Sequence, residues 1–171
     1  EHAAELGAKA MKLLVLWRSD EDPAERKAMV DEFVARCHSA NLLAIIEPVV
    51  RPPRASAAFD KEASILLAAE ELGNTGADLY KGEMPLGGKG SDAELLKACR
   101  ELDARVTTPW VILSSGVDPD LFPNAVRQAV AAGAIGFLAG RAVWSCTLPF
   151  ADPTNARRDL AVPRLERLGQ I

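Results

Sequence analysis

Three charged residues interrupt apolar segments that otherwise look like buried β-strands. Lys12 lies within AMKLLVLW, Glu47 within LLAIIEPVV and Lys81 within ADLYKGEM. A charged group inside a protein costs on the order of several kcal/mol unless it is paired or hydrogen-bonded. Two interpretations are open for the set: an internal salt bridge that only stabilises the fold, or a catalytic cluster. The recurrence at matching positions of three strands favours the catalytic interpretation.

Two lysines and a glutamate in one pocket have the chemistry of a Schiff-base enzyme. A lysine amine attacks a ketone or aldehyde only when it is neutral, and both burial and a neighbouring cation favour the neutral amine. Lys12 supplies that cation for Lys81, and Glu47 moves protons as a general acid and base. The resulting iminium accepts electrons during carbon–carbon bond cleavage without a metal. We therefore predict Lys81 as the nucleophile, with no metal and no other cofactor.

Metal-ligating residues are sparse and scattered. The only histidines are His2 and His38, both interpreted as surface residues, whereas a zinc-dependent aldolase needs a cluster of ligands. The three cysteines show no CxxC spacing and are predicted to be free thiols in a reducing cytoplasm: Cys37, Cys99 and Cys146.

The apolar segments alternate with segments of helical periodicity. Four N-cap patterns precede the predicted helices, namely Asp22-Pro23, Asp60, Ser91 with Glu94, and Asp118-Pro119. Five strands are predicted within Ala10–Trp17, Leu42–Val50, Ala77–Met84, Pro109–Gly116 and Ala134–Trp144. Strands that are apolar on both faces and alternate with helices indicate a parallel sheet covered by helices.

The regular spacing favours a (β/α)8 TIM barrel. Lys12, Glu47, Lys81 and Ser114 are separated by 35, 34 and 33 residues, and no strand is followed by a GxGxxG motif. A barrel of this class has about 250 residues. We therefore expect residues 1–171 to be the C-terminal portion of a single barrel domain, with strands 4–8. Exposed sheet edges would then favour a homo-oligomer.

The last two strands are followed by segments suited to an anion. Ser114, Ser115 and Gly116 follow the fourth strand, and Gly140 and Arg141 follow the core of the fifth. The corresponding loops of barrel enzymes commonly hold a phosphate through backbone N–H groups, and a guanidinium matches phosphate geometry. Either segment alone is an ordinary loop or cap; together they predict a phosphorylated substrate.

The composition disfavours nucleic-acid-binding and membrane proteins. The 171 residues are 49% hydrophobic and 26% charged, with a formal net charge of −4 and intermixed signs. A nucleic-acid surface or polybasic membrane anchor is disfavoured, and no apolar segment approaches the roughly 20 residues of a membrane span. We expect a cytoplasmic protein that binds a small phosphorylated sugar, without nucleic-acid or membrane partners.

Several segments resemble the tagatose-bisphosphate aldolase family of class I aldolases, most closely its sulfoglycolytic branch. The resemblance rests on MKLLVLWRSDED, IIEPVVRPPR, GADLYKGEMPLGGKG, PWVILSSGVD and GFLAGRAVW. It implies that Lys81 forms the Schiff base and that Glu47 and Lys12 match the family's catalytic glutamate and second lysine. It also implies that the Ser114–Gly116 and Gly140–Arg141 segments are the phosphate-binding loops.

The resemblance further implies reversible cleavage to dihydroxyacetone phosphate and an aldehyde. For the sulfoglycolytic branch the substrate is 6-deoxy-6-sulfofructose 1-phosphate and the aldehyde is sulfolactaldehyde. Arg18, Arg51 and Arg54 are candidates for the sulfonate end, with solvent-facing loop arginines as the other interpretation. Tagatose 1,6-bisphosphate is the alternative substrate.

Two departures from the family pattern leave a catalytically inactive sugar-phosphate-binding paralogue open. Gly82 stands where the family has a bulkier apolar residue, and we expect it to loosen the strand beside Lys81. The family's first three βα units and an acidic group on its first strand are expected to precede Glu1.

Overall fold

Strands and helices alternate along the chain in the computed structural model, which describes residues 2–55 and 58–171. Glu1, Ser56 and Ala57 fall within the predicted 1–171 domain and lie outside the described residues. The strands are β1 (Ala10–Trp17), β2 (Leu43–Val50), β3 (Leu79–Glu83), β4 (Trp110–Leu113) and β5 (Phe137–Leu138). The helices are α1 (His2–Glu5), α2 (Pro23–Ser39), α3 (Lys61–Leu72), α4 (Asp92–Asp103), α5 (Phe122–Ala132), α6 (Arg141–Trp144), α7 (Pro153–Ala156) and α8 (Val162–Leu168), with short 3₁₀ turns at Pro85–Gly88 and Ser145–Thr147 and a π turn at Arg157–Ala161.

The predicted α/β fold with a parallel sheet is confirmed. The strands follow one another in the sheet in chain order, β1-β2-β3-β4-β5. The registered pairs β1–β2, β2–β3 and β4–β5 are parallel. A doubly wound sheet reverses its strand order at a switch point, whereas the strands of a (β/α)8 barrel are sequential. The order therefore excludes the Rossmann arrangement.

The fifth predicted strand is much shorter than expected. Only Phe137–Leu138 pairs as a strand, and Arg141–Trp144 forms a helical turn that Gly140 precedes. Gly136, directly before this strand, has a φ of 151° and its carbonyl accepts a hydrogen bond from the Ile112 N–H of β4 at 3.1 Å. The apolar pattern of this segment therefore reflects a buried helical turn in addition to a strand.

Three of the four predicted helix starts are as expected. Asp22 accepts from the Ala24 N–H at 2.8 Å, and Asp60 accepts from the Ala63 N–H at 3.0 Å. Ser91 and Glu94 form a reciprocal capping box, in which the Ser91 N–H donates to Glu94 at 2.8 Å.

The fourth predicted helix, α5, begins later than its Asp118-Pro119 pattern indicates. Asp118 caps a turn through the Asp120 N–H, and α5 begins only at Phe122. Pro123 lies in the first turn of that helix, where the missing N–H carries no penalty. Asp118-Pro119 therefore begins a turn that precedes the helix, and it is not the N-cap of α5.

The chain forms two compact units. The first comprises the residues up to Gly82 together with Glu101–Val111, and the second comprises Glu83–Arg100 together with Ile112–Ile171. The first unit contains β1, β2 and β3 up to Gly82, with α2 and α3, and the second contains β5, α5 and the C-terminal helices. In the first unit, Val15 and Trp17 of β1 are buried on the helix side, whereas Lys12, Leu14 and Leu16 on the opposite face are exposed.

The described residues offer neither a metal cluster nor a helical membrane span. Within 2–55 and 58–171, no three His, Cys, Asp or Glu side chains come together as a metal site. No helix in this part of the chain has the length and hydropathy needed to cross a bilayer. All three cysteines are free, and burial raises the pKa of the Cys99 thiol to about 12.

Asp78 connects the beginnings of β2 and β3. Its carboxylate accepts from the Ala44 N–H at 2.8 Å and contacts the His38 ring at 2.9 Å, and its own N–H donates to the Ala44 carbonyl at 2.9 Å. The Ala44 N–H, and then His38, hold the pKa of Asp78 below its ordinary value of 3.8. The carboxylate therefore stabilises the fold above about pH 3.8, and this stabilisation is lost as pH falls through the lower folded-state pKa.

Replacing Asp78 should weaken this connection. We expect Asp78→Ala to lower the free energy of unfolding at pH 7 by about 1 kcal/mol, because the Ala44 N–H loses its acceptor. Urea denaturation measures the effect, with Asp31→Ala as the control because Asp31 makes only an exposed ion pair with Lys27. Equal stability of the two variants would contradict this role.

Gly82 is tightly packed, so the expected loosening of β3 is not apparent in the packing. A Cβ at this position would come within 3.2 Å of Leu102 Cδ2 and 3.3 Å of Tyr80 Cε1. Tyr80 and Leu102 are buried. These two side chains occupy the space that a larger residue would need.

We expect Gly82→Val to destabilise the fold by about 1–3 kcal/mol, because the added methyl groups overpack the site. The cost should shrink in a Leu102→Ala background, where the nearest obstructing atoms are gone. Thermal unfolding of the four proteins in this double-mutant cycle measures the coupling. The same cost in both backgrounds would show that Leu102 does not limit the space beside Gly82.

Candidate active site

Strands β1 to β3 bring Lys12, Glu47 and Lys81 to one face of the sheet. Leu14 is registered with Glu47, and Ile46 is registered with Tyr80. Registered residues of parallel strands point to the same side, and side chains alternate along each strand. Lys81 therefore projects with Glu47, and Lys12, two residues before Leu14, projects to the same side.

The Glu47 carboxylate binds both lysines through one oxygen. Lys81 Nζ donates to Glu47 Oε2 at 3.1 Å, and Lys12 Nζ donates to the same oxygen. The exposed fractions of the side chains are 10% for Glu47, 15% for Lys81 and 43% for Lys12. The structure thus brings together the three residues that the sequence predicted to be catalytic. Lys81 is largely shielded from solvent, and Lys12 is the solvent-exposed member.

This cluster contains one carboxylate for two amines. With both lysines protonated it carries a net positive charge, and loss of one proton leaves it neutral. Lys81 is the less exposed of the two lysines, and both share one carboxylate oxygen with which a proton can be exchanged.

Arg18 and Arg54 share a second carboxylate in the loops that follow β1 and β2. Arg18 Nε lies 3.4 Å from Glu21 Oε1, and Arg54 Nε donates to the same oxygen at 3.1 Å. Arg18 Nη1 also donates to the Pro52 carbonyl at 2.9 Å. The structure therefore brings these two predicted arginines to one place, around Glu21.

Arg51 has different contacts from the other two arginines. Its N–H donates to the Trp17 carbonyl at 2.9 Å, and its Nη1 donates to the Val50 carbonyl at 2.9 Å. Among the described residues, Arg51 makes no ion pair with Glu21, unlike Arg18 and Arg54.

Arg26 and Glu71 support this cluster and were not singled out from the sequence. Arg26 is 7% exposed and binds Glu71 through two hydrogen bonds of 2.7 and 3.0 Å. Trp17 Nε1 donates to Glu71 at 2.8 Å, and the Arg26 guanidinium lies 5.3 Å from the Trp17 ring centroid. The sequence held a clue, because Arg26 lies four residues before the buried Val30 and so occupies the buried stripe of α2.

The predicted phosphate loops lie in the second unit. Leu113 of β4 is registered with Leu138 of β5, so Ser114 and Gly140 follow the carboxyl ends of neighbouring strands. The Val117 N–H donates to the Ser114 carbonyl at 3.1 Å, and Gly116 in that turn has a φ of 73°. Ser114 and Ser115 are half-buried, and Arg141 is exposed. The loops thus present hydroxyl, amide and guanidinium donors at one edge of the sheet.

Curated proteins with similar sequences are aldolases. Tagatose 1,6-diphosphate aldolase 1 of Streptococcus pyogenes serotype M1 is 28% identical over 167 residues, covering 84% of this chain and 51% of the relative. Tagatose 1,6-diphosphate aldolase 2 of Streptococcus mutans serotype c is 28% identical over 168 residues, covering 82% of this chain and 50% of the relative. The chain spans about half the length of these relatives.

Solved structures with a similar fold are also aldolases. An archaeal fructose-1,6-bisphosphate aldolase, with its catalytic Lys covalently bound to the carbinolamine intermediate, matches with a TM-score of 0.72 and 18% identity over 99% of this chain and 60% of that chain. The fructose-bisphosphate aldolase of Slackia heliotrinireducens matches with a TM-score of 0.66 and 19% identity over 99% and 58% of the two chains. At this identity the likeness establishes the fold.

The family is established by a separate match. The model described as DeoC/LacD family aldolase matches residues 1–146, which include Lys12, Glu47 and Lys81. The chain therefore belongs to the DeoC/LacD family of aldolases.

Proposed function

We propose that this chain carries the catalytic cluster of a class I aldolase that cleaves a ketose 1-phosphate to dihydroxyacetone phosphate and an aldehyde. The observation that carries the proposal is the Glu47 carboxylate shared by Lys81 and Lys12. A purely structural ion pair needs one lysine, whereas imine chemistry uses a nucleophilic amine, a second cation and a proton carrier.

Lys81 acts as the nucleophile in this mechanism. Its neutral amine attacks the C2 ketone, and Glu47, at 3.1 Å from the amine nitrogen, moves the proton from nitrogen to the departing hydroxyl. The departing oxygen takes up this proton and a second one, which Glu47 carries from solvent, and leaves as water. A protonated imine then joins Lys81 to the substrate. Lys12 donates to the same Glu47 oxygen and holds the carboxylate beside the reacting nitrogen.

Carbon–carbon cleavage then follows from the electron demand of the iminium. Loss of the C4 hydroxyl proton breaks the C3–C4 bond, the aldehyde departs, and the bonding electrons move into an enamine on Lys81. Protonation at C3 and addition of water release dihydroxyacetone phosphate and the free amine. Glu47 is the proposed carrier for the proton transfers at the lysine nitrogen.

The phosphate end is proposed to bind the loops after β4 and β5. Ser114, Ser115 and Gly116 offer hydroxyl and backbone donors, and Gly140 with Arg141 adds amides and a guanidinium fork. In barrel enzymes this edge of the sheet is where phosphate is commonly held.

Two substrates are proposed, and they differ at the end opposite the 1-phosphate. 6-Deoxy-6-sulfofructose 1-phosphate would place a sulfonate near Arg18, Arg51 or Arg54, and would yield sulfolactaldehyde. Tagatose 1,6-bisphosphate is supported by the names of the curated relatives at 28% identity.

A catalytically inactive sugar-phosphate-binding protein is the competing function. Gly82 beside Lys81 motivates it, and it predicts ligand binding without imine formation. Homo-oligomer formation also stays a prediction, which rests on β1 being an edge strand of the described sheet.

Imine formation is tested by borohydride reduction in the presence of dihydroxyacetone phosphate. We expect a stable adduct at Lys81, located by peptide mass mapping, because reduction traps the imine as a secondary amine. Lys81→Met should abolish the adduct, and Lys97→Met, which removes an exposed lysine of α4, should leave it unchanged. A folded chain with bound ligand and no adduct at Lys81 would instead support the inactive binding protein.

Proton transfer by Glu47 is tested by Glu47→Gln, which keeps the shape and removes the charge. We expect the rate of trapping at Lys81 to fall by about 10²–10⁴-fold, the range of general acid–base catalysis. Glu70→Gln, at an exposed position of α3, serves as the control. Equal trapping rates in the two variants would remove Glu47 from the mechanism.

A further inference from the structure

Gly88 lies in the turn that follows β3, and we propose that it is a positioning residue for the phosphate end of the substrate. Its contact with Val117 sets where the Ser114–Val117 turn lies, and the position of that turn determines the affinity for phosphate. The inference rests on the proposed function, because that turn is one of the two proposed phosphate-binding segments. Gly88 itself is not proposed to touch the substrate.

The turn after β3 has a backbone that a glycine accepts and other residues resist. Leu86, Gly87 and Gly88 are consecutive residues in the left-handed region, with φ values of 56°, 58° and 75°. This region is strained for a leucine, and such strain persists only where the surroundings impose it. The Lys89 N–H donates to the Leu86 carbonyl at 3.0 Å and closes the turn. The turn is therefore a defined conformation, and it brings Gly88 to a buried position.

Val117 fills the space beside Gly88. A Cβ at position 88 would lie 2.8 Å from Val117 Cγ1 and 3.5 Å from the Ala125 Cβ. Carbon atoms in favourable contact are about 3.5–4.0 Å apart, so the first distance is a clash. Val117 is 5% exposed and β-branched, and its side chain therefore has few alternative rotamers. A side chain at position 88 would have to be accommodated by movement of the backbone.

Val117 also closes the proposed phosphate-binding turn. Its N–H donates to the Ser114 carbonyl at 3.1 Å, and Gly116 in that turn has a φ of 73°. Val117 is buried, whereas Ser114 and Ser115 are half-buried and Gly116 is exposed. The packing of Val117 against Gly88 therefore anchors this turn to the protein interior.

The Ser114–Val117 turn is the side of this contact that has room to move. A Cβ at Gly116 would meet no described residue other than its chain neighbours within 4 Å. Gly88 is buried, and the segment that follows it is tied to α5, because Asn124 Nδ2 donates to Asp92 at 2.9 Å. A clash at position 88 should therefore shift the hydroxyl and backbone donors of the turn away from the phosphate.

Gly88→Ala and Gly87→Ala form a matched pair. Both place a Cβ on left-handed backbone, but a Cβ at position 87 meets nothing within 4 Å among the described residues. Isothermal calorimetry with inorganic phosphate gives a dissociation constant for each folded variant. We expect Gly88→Ala to weaken phosphate binding by about tenfold or more, the effect of losing one hydrogen bond to a charged group. Gly87→Ala should bind phosphate as the wild-type chain does.

Two further substitutions assign the effect to the contact. Phosphate binding that Arg141→Gln removes belongs to the loops after β4 and β5. The loss caused by Gly88→Ala should shrink in a Val117→Ala background, where the clashing Cγ1 is gone. If Gly88→Ala does not fold, Val117→Ala is compared with Val126→Ala, which removes the same two methyl groups from a buried valine of α5. Val117→Ala should then weaken phosphate binding more.

A role in stability alone would not distinguish ligands with and without a phosphate. Borohydride trapping at Lys81 with dihydroxyacetone, which has no phosphate, should proceed at the same rate in the wild-type chain and in Gly88→Ala. With dihydroxyacetone phosphate, the half-saturating concentration should rise about tenfold while the limiting trapping rate stays unchanged, because only the phosphate contacts have moved.

Equal phosphate affinities of Gly88→Ala and Gly87→Ala would overturn the positioning role and leave the proposed aldolase standing. A loss for Gly88→Ala that is undiminished in the Val117→Ala background would do the same. Failure of the folded wild-type chain to bind phosphate, or binding that survives Arg141→Gln, would overturn the proposed phosphate end and this inference with it. The titrations do not involve Lys81, so an absent imine adduct overturns the imine mechanism and leaves the Gly88 result readable.

Discussion

The interaction on which the site depends is the Glu47 carboxylate shared by two lysines. Three neighbouring parallel strands are needed to form it, because each contributes one residue to the same face of the sheet, with Lys81 level with Glu47 and Lys12 two residues earlier on β1. A one-residue slip of β2 would turn Glu47 to the helix side and leave two amines facing each other. The register of β1, β2 and β3 is therefore the structural condition for imine chemistry.

The sequence predicted this part of the protein well, for physical reasons. β1 has the bounds that its apolar run indicated, and the Asp22 and Asp60 caps start the helices expected of them. Charges within buried strands are costly, so their repeated occurrence at a fixed interval indicated a common location. Asp78 joins the beginnings of β2 and β3, and Tyr80 and Leu102 pack around Gly82 of β3.

Loops and short strands were harder to predict. β5 has two paired residues although its apolar run is long, since burial in a helical turn and burial in a strand give similar patterns. Glu21 and Glu71 could not be identified, because surface glutamates are common and their partners Arg54 and Arg26 lie 33 and 45 residues away along the chain. The arginines at the loop ends were recognised by type, but the carboxylate that balances them was not.

The most direct test of the central claim is an experimental structure of the free chain that resolves the Lys12, Glu47 and Lys81 side chains. We predict both Nζ atoms within hydrogen-bond distance of a single Glu47 oxygen, with Lys81 less exposed than Lys12. A structure in which Lys81 points into bulk water, or pairs with another acid while Glu47 binds Lys12 alone, would contradict the account.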